Sequence, residues 1–214
     1  MAGTSSSELI TLVRSLGLGS YFLGVYDKHF PGFLNDRRLA YAIVNTGDYM
    51  SGGLHWIAFA YDPNGRKFYI FDPFGWSKKE LWKFYKFQYD RIVRRTALQN
   101  GRCIKLVRSV DTVQCPCSAA CGLYCVLFLA SFYYFRNSPM YNNPIIDVVT
   151  GVPHSKMKSS YGIAILHCNQ ERLYNWLYYN SVYFRDNELE IKRNTRINSI
   201  LVHYLFIVLF LFAR

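Results

Sequence analysis

Cys121 has the neighbours a nucleophile needs. It follows Ser118-Ala119-Ala120 and opens a run to Phe135 that is apolar on nearly all sides. Such a run predicts a buried helix. A thiol at a helix N-terminus meets unpaired backbone N–H groups and the positive end of the dipole. Both favour the thiolate, the reactive form. The small residues before it let a substrate chain approach closely. A buried structural cysteine is the commoner fate of a free thiol, so position alone leaves both readings open.

A nucleophilic cysteine needs a base, usually histidine. Of the five histidines, His55 stands apart. It follows Gly52-Gly53, which permit a tight bend, and sits at the start of a strand-like segment, before Trp56. Asp72 ends the segment expected to pair with that strand. The turn signal Asp62-Pro63-Asn64-Gly65 joins the two, so residues 55 and 72 should meet at the open end of a hairpin. There a carboxylate can hold the imidazole in one tautomer and stabilise its cation. Gln114 completes the set. Its side-chain amide, with the Cys121 backbone N–H, can donate to a developing oxyanion. Each residue alone has a bland alternative: a structural histidine, an Asp starting a turn before Pro73, a polar loop residue.

The elements that must position these groups are legible in part. Ser6 or Ser7 is expected to cap a first helix from Glu8 to Leu16. Residues 21 to 33 read as loop, broken by Gly24 and Pro31-Gly32. Strands are expected over Leu39–Val44, Leu54–Tyr61, Lys67–Asp72 and Cys103–Val107. Ser77-Lys78-Lys79-Glu80 is a capping box, predicting a helix from there to about Leu98 with Leu81, Tyr85, Tyr89 and Ile92 on its apolar face. Further helices are expected over Ile145–Val149 and Asn169–Tyr179. Strands and helices mix without regular alternation. The predicted class is α+β: a mixed central sheet with helices, one of them buried and opened by Cys121.

Composition sets the frame. The chain has 214 residues, 51% of them hydrophobic, ample for one packed domain, expected over residues 1–199. Residues 200–214 form an atypical apolar tail, shorter than the roughly 20 residues of a usual bilayer span. A docked final helix or strand is expected there, and no membrane association. Residues 1 to 8 carry no basic or apolar signal regions, so secretion is not expected and the thiols should be mostly reduced. Lys and Arg exceed Asp and Glu by 25 to 14, a net charge of +11. That surplus favours a polyanion, nucleic acid first. Lys78, Lys79, Lys83, Lys86, Arg91, Arg94 and Arg95 are the DNA-binding candidates, on the polar face of the long helix.

Longer motifs point to a family. The segments Tyr21 to Phe33, Gly52-Gly53-Leu54-His55-Trp56, Phe71-Asp72-Pro73-Phe74-Gly75 and Ser118-Ala119-Ala120-Cys121-Gly122-Leu123 resemble those of the adenovirus endoprotease family. Thr150-Gly151-Val152-Pro153, Asn169-Gln170-Glu171 and Tyr183-Phe184-Arg185 extend the likeness, which covers about residues 8 to 185. The resemblance implies His55 as base, Asp72 as orienting acid, Cys121 as nucleophile and Gln114 in the oxyanion hole. It implies cleavage of viral precursor proteins after Gly, in (Met/Ile/Leu)-x-Gly-Gly-x patterns, during virion maturation in the virion and host nucleus. Two cofactors come with it: an activating peptide from a viral capsid precursor, disulfide-linked through Cys103, and viral DNA bound without sequence preference. No metal is expected.

Met50-Ser51-Gly52-Gly53-Leu54 fits the same pattern within this chain, so self-cleavage is expected between Gly53 and Leu54. Cys115 and Cys117 depart from the family's small or polar residues. Their spacing is not a standard zinc pattern, and no His lies near them in sequence. Oxidative trapping of Cys121 by a neighbour is the chemistry expected there. Three other readings stay open: a ubiquitin-like or SUMO protease with the same His-Asp-Gln-Cys order, a non-enzymatic DNA-binding protein, and a membrane-attached protein.

Overall fold

The structure, a computed structural model, describes residues 3–34, 38–49, 53–101 and 103–197. The apolar tail 200–214 and residues 50–52 of the expected self-cleavage motif lie outside the described residues.

A five-stranded mixed sheet runs in the order β1 (Phe22–Tyr26), β2 (Ala40–Asn45), β3 (Trp56–Asp62), β4 (Lys67–Phe71), β5 (Lys105–Arg108). The inner three strands are antiparallel, and each edge strand runs parallel to its neighbour. With seven α-helices among the described residues, the fold is α+β as expected. The hairpin of β3 and β4 closes with Asp62 opposite Lys67, and Asp62 Oδ1 accepts from Asn64 N at 3.1 Å in the turn.

Both faces of the sheet are covered, and alternation along β3 decides what covers them. Ala58 and Ala60 face α4 (Cys121–Tyr134). Ile57, Phe59 and Tyr61 face the opposite way, against Phe30, Phe33, Phe87 and Ile92. The two alanines leave room for α4 to lie close against the sheet. Phe71 and Phe128 stack across that seam with centroids 4.9 Å apart. Buried on all sides along most of its length, α4 matches its apolar sequence.

Several boundaries differ from expectation. The first helix, α1 (Ser6–Ser15), is capped by Ser5. A capping box needs Glu at the third helical position, and only Ser5 stands at that spacing from Glu8. Residues expected as loop include edge strand β1. Gly24 adopts φ +127 at an irregular register between Phe22 and Gly24, so the glycine that reads as a breaker accommodates an irregular strand.

The long helix after Ser77 is two, α2 (Lys78–Tyr85) and α3 (Asp90–Asn100). Lys86 turns left-handed (φ 54) and ends α2. At 3.6 residues per turn a continuous helix would put Phe87 opposite Leu81 and Ile92. The break lets all three enter one core.

The expected helix at Ile145 is a single 3-10 turn, Ile146–Val148. Helix α5 (Ser160–Asn180) starts well before Asn169, with Ser159 capping Gly162 N. Two unexpected helices follow, α6 (Val182–Asp186) and α7 (Glu188–Thr195). Among the described residues no helix is long and apolar enough to cross a membrane.

Candidate active site

His55 precedes β3 and Asp72 follows β4, so the hairpin brings them together. His55 Nε2 lies 2.7 Å from Asp72 Oδ1, with both side chains almost sealed from solvent. Thr46 N donates to His55 O at 2.8 Å, extending the β2–β3 ladder to the histidine. Asp72 is held in turn. Oδ1 also accepts from Phe74 N at 2.9 Å, and Oδ2 accepts from Trp76 N at 3.2 Å. Ser109 Oγ accepts from Asp72 N and donates to Asp72 O, each at 2.9 Å. These bonds keep the carboxylate facing the ring.

With Nε2 taken by the acid, Nδ1 is left for the thiol. The Cys121 side chain lines the same cleft and is close enough to the imidazole to favour its charged form. Burial opposes charge on His55 and is the largest single influence. The Asp72 charge and hydrogen bonds to Asp72 and Cys121 together outweigh it, and the pKa is pushed up to about 10. The ring is therefore an imidazolium at neutral pH.

Two aromatic rings sandwich it. Phe74 stacks at 4.8 Å and Tyr85 at 5.1 Å. Tyr85 reads in the sequence as a core residue of a helix face. It is the last residue of α2, just before the left-handed Lys86.

Cys121 opens α4, as expected, and Ala120 supplies no side-chain cap. The first-turn N–H groups thus face the thiol end of the helix. Gly122 lets the helix start sit against Thr4 and Leu9, and any Cβ there would strike the Thr4 hydroxyl. Trp56 Nε1 donates to Thr4 O at 3.1 Å, which ties the chain's beginning to the same place.

Gln114 is buried in the wall beside Cys121, on the expected loop. Its Nε2 donates to Ser118 O at 2.9 Å, and its Oε1 has no partner. Val113 N and Gln114 N both donate to Pro73 O, so the amide's segment is sewn to the acid's. Asn169, fully buried on α5, braces the same loop. Its Nδ2 donates to Val113 O and Thr150 O, and its Oδ1 accepts from Thr150 N. The sequence offers the Asn169 motif but no sign of this bracing role.

His55, Phe74, Tyr85, Gln114 and Cys121 all line one cleft of about 1010 Å³. Glu8, Asp27, Asp48 and Glu190 line it too, and no Lys or Arg does among the described residues. Gly53 and Leu54 sit at its rim. Gly53 adopts φ +77 and Leu54 is exposed, its N–H donating to Asn45 Oδ1 at 3.0 Å.

Cys103 is free and exposed, just before edge strand β5. The seven basic candidates are exposed, but they divide between α2 and α3 rather than sharing one helix. Lys78 pairs with Asp90 at 2.7 Å across the break.

Cys115 and Cys117 form a disulfide, and Cys121 is free. The expectation of trapping between Cys121 and one of these neighbours is thus corrected: each sulfur is tied to the other. Cys103, Cys121, Cys125 and Cys168 are free, and the expectation of mostly reduced thiols does not extend to this pair. His167, remote in sequence, places Nε2 3.7 Å from Cys117 Sγ.

The sequence profile of the adenovirus endoprotease matches residues 22–199. A protease of Frog adenovirus 1 is 57% identical over 202 residues, spanning 94% of this chain and 99% of that protein. A protease of Avian adenovirus 8 is also 57% identical, over 94% and 98%. One of Human adenovirus D serotype 9 is 46% identical, over 91% and 94%. Likeness of this extent, spread over nearly the whole of each partner, decides the family: the chain belongs to the adenovirus endoproteases and is a viral protease.

Proposed function

We propose that the protein is a cysteine endopeptidase that cuts viral precursor proteins after glycine. The observation that carries this reading is the buried His55–Asp72 contact at 2.7 Å, in one cleft with Cys121 at the start of α4. An imidazolium beside the thiol favours the thiolate. The Cys121 sulfur attacks the carbonyl carbon of a glycine. The Cys121 N–H and the Gln114 amide hold the oxyanion. His55 gives its proton to the leaving amine, and water then hydrolyses the thioester with His55 as base.

Family membership supports the finer parts. Substrates have (Met/Ile/Leu)-x-Gly-Gly-x sites, and cleavage matures the virion in the host nucleus. An activating peptide from a capsid precursor adds beside β5 and is locked through Cys103, which is free, exposed and next to an edge strand. DNA binds without sequence preference, favoured by the +11 charge and the exposed cations of α2 and α3. The same specificity makes Gly53–Leu54 a self-cleavage site.

The test is release of a reporter from Met-Ser-Gly-Gly-reporter by wild type and Cys121→Ala, each with and without DNA and a basic cysteine-containing peptide. Cleavage by wild type alone, raised by either additive, is expected. Equal cleavage by the variant sinks the assignment of the nucleophile.

A further inference from the structure

We propose that Cys115-Pro116-Cys117 is a redox-active dithiol/disulfide site whose oxidised form positions Gln114 in the oxyanion hole. The proposal rests on the cysteine-protease reading above. The disulfide lies inside the loop bounded by Gln114 and Ser118. Four polar contacts close that loop: Gln114 Nε2 to Ser118 O at 2.9 Å and to Ser118 Oγ at 3.3 Å, Ser118 N to Cys115 O at 3.0 Å, and Cys117 N to Cys115 Sγ at 3.3 Å. The S–S bond is the one covalent tie among them.

Its effect is local. A disulfide stabilises a whole fold mainly by closing a long loop in the unfolded chain, and this one joins residues two apart. What it constrains is the path between the amide and Ser118. Cys115 and Cys117 are nearly sealed, packed with Val152, Met157 and Leu166 in a cluster separate from the two main cores. Pro116 between them is exposed and lines the active-site cleft. The strap therefore runs from a packed anchor to the cleft wall.

The chemistry is thiol–disulfide exchange with a small thiol of the glutathione class and its disulfide as co-reactants. A thiolate RS⁻ attacks one sulfur, the Cys115–Cys117 bond breaks and a mixed disulfide forms. A second RS⁻ attacks the outer sulfur of that mixed disulfide and leaves as RSSR. The protein gains two electrons and two protons. In the reverse direction His167 Nε2, 3.7 Å from Cys117 Sγ, accepts the thiol proton as the Cys117 sulfur attacks RSSR. Burial pushes the His167 pKa down, which keeps it a neutral acceptor. Without the S–S bond, only hydrogen bonds hold Gln114, and the oxyanion donor is less well placed. Cys115 and Cys117 are positioning residues, not catalytic ones.

The test equilibrates the full chain in reduced and oxidised glutathione across a range of ratios. Acid quenching, maleimide labelling under denaturing conditions and peptide mass then read the pair. It should pass from unlabelled to doubly labelled as one two-electron step. In the same samples, kcat on the glycine reporter should fall about tenfold on reduction with KM little changed, a fraction of what loss of an oxyanion donor costs. Oxidation of Cys121 lowers activity at the opposite, oxidising end, so the two effects differ in sign. Cys115→Ser/Cys117→Ser should be fixed at the reduced level. A pair that is labelled, or unlabelled, at every ratio overturns the proposal. So does a wild-type kcat unchanged across the labelling step, a measurement that stands even if the double variant fails to fold. If the wild type cuts nothing at any ratio, the protease reading fails, while the labelling still reports on the pair.

Discussion

His55 Nε2 and Asp72 Oδ1 meet at 2.7 Å across the open end of one hairpin, and the carboxylate that receives the ring is itself fixed by two backbone N–H groups. Position and charge are thus set by the same short segment. Asp72→Asn keeps the shape and removes the charge. Proteolytic kcat should fall by up to about 10⁴-fold, as for the corresponding change in a Ser-His-Asp triad. Steady-state kinetics on the glycine reporter, with circular dichroism to confirm folding, would show it. Undiminished kcat would mean that Asp72 only shapes the turn.

The raised pKa of His55 makes a pH prediction whose sign is fixed. Its ordinary value is 6.5, and in the folded chain it is about 10. The folded state holds this proton more tightly than the unfolded state. The contribution to stability is fully present below about 6.5 and is lost as pH rises through about 10. The difference in urea midpoint between wild type and His55→Ala should shrink over that interval. A constant difference would contradict the raised value. Activity should decline over the same alkaline limb as the imidazolium is lost.

In the proposed mechanism, Gln114→Ala removes one oxyanion donor. A loss of about 10²–10³ in kcat with a small change in KM is expected. A rise in KM at unchanged kcat would instead assign Gln114 to substrate binding.

The Tyr85 ring covers one face of His55 at 5.1 Å. Tyr85→Leu should lower kcat by about 2- to 10-fold, the equivalent of an aromatic pair worth about 0.5–1.5 kcal/mol. Tyr85→Phe keeps the stack and should retain nearly full activity. Equal losses in both variants would shift the role to the hydroxyl.

The N–H of Leu54, in the bond proposed for self-cleavage, is held by buried Asn45 Oδ1. Asn45→Ala should free that segment and hasten the cut between Gly53 and Leu54. Intact mass during incubation reads the rate. Slower or absent fragmentation in an active variant would argue that this bond is not the target.

The His55–Asp72 pair was legible because a turn signal sat between two strand-like runs, so local pairing alone joined Asp72 to His55. Helix α4 was legible because its residues are apolar all round. Tyr85, Phe74 and Asn169 were not legible as parts of the site. Their roles depend on contacts set by tertiary packing: the Tyr85 ring against His55, a turn held by Asp72, a buried amide reaching Val113 and Thr150. Strand β1 was hidden for a similar reason. A glycine that weakens a strand locally is tolerated once a neighbour supplies the pairing. The Cys115–Cys117 bond was not legible because the run Cys115-Pro116-Cys117 reads the same for a bonded pair as for two free thiols.

The residues assigned to the reaction arrive on two separate pieces of chain. Imidazole and carboxylate travel together on the hairpin, while thiol and amide belong to the loop and helix that dock against it. The seam between the pieces holds the packing of Ala58 and Ala60 on α4, together with the bonds from Val113 N and Gln114 N to Pro73 O. A small slide along that seam would alter the gap a proton must cross between sulfur and ring, and would leave the contact between His55 and Asp72 as it was.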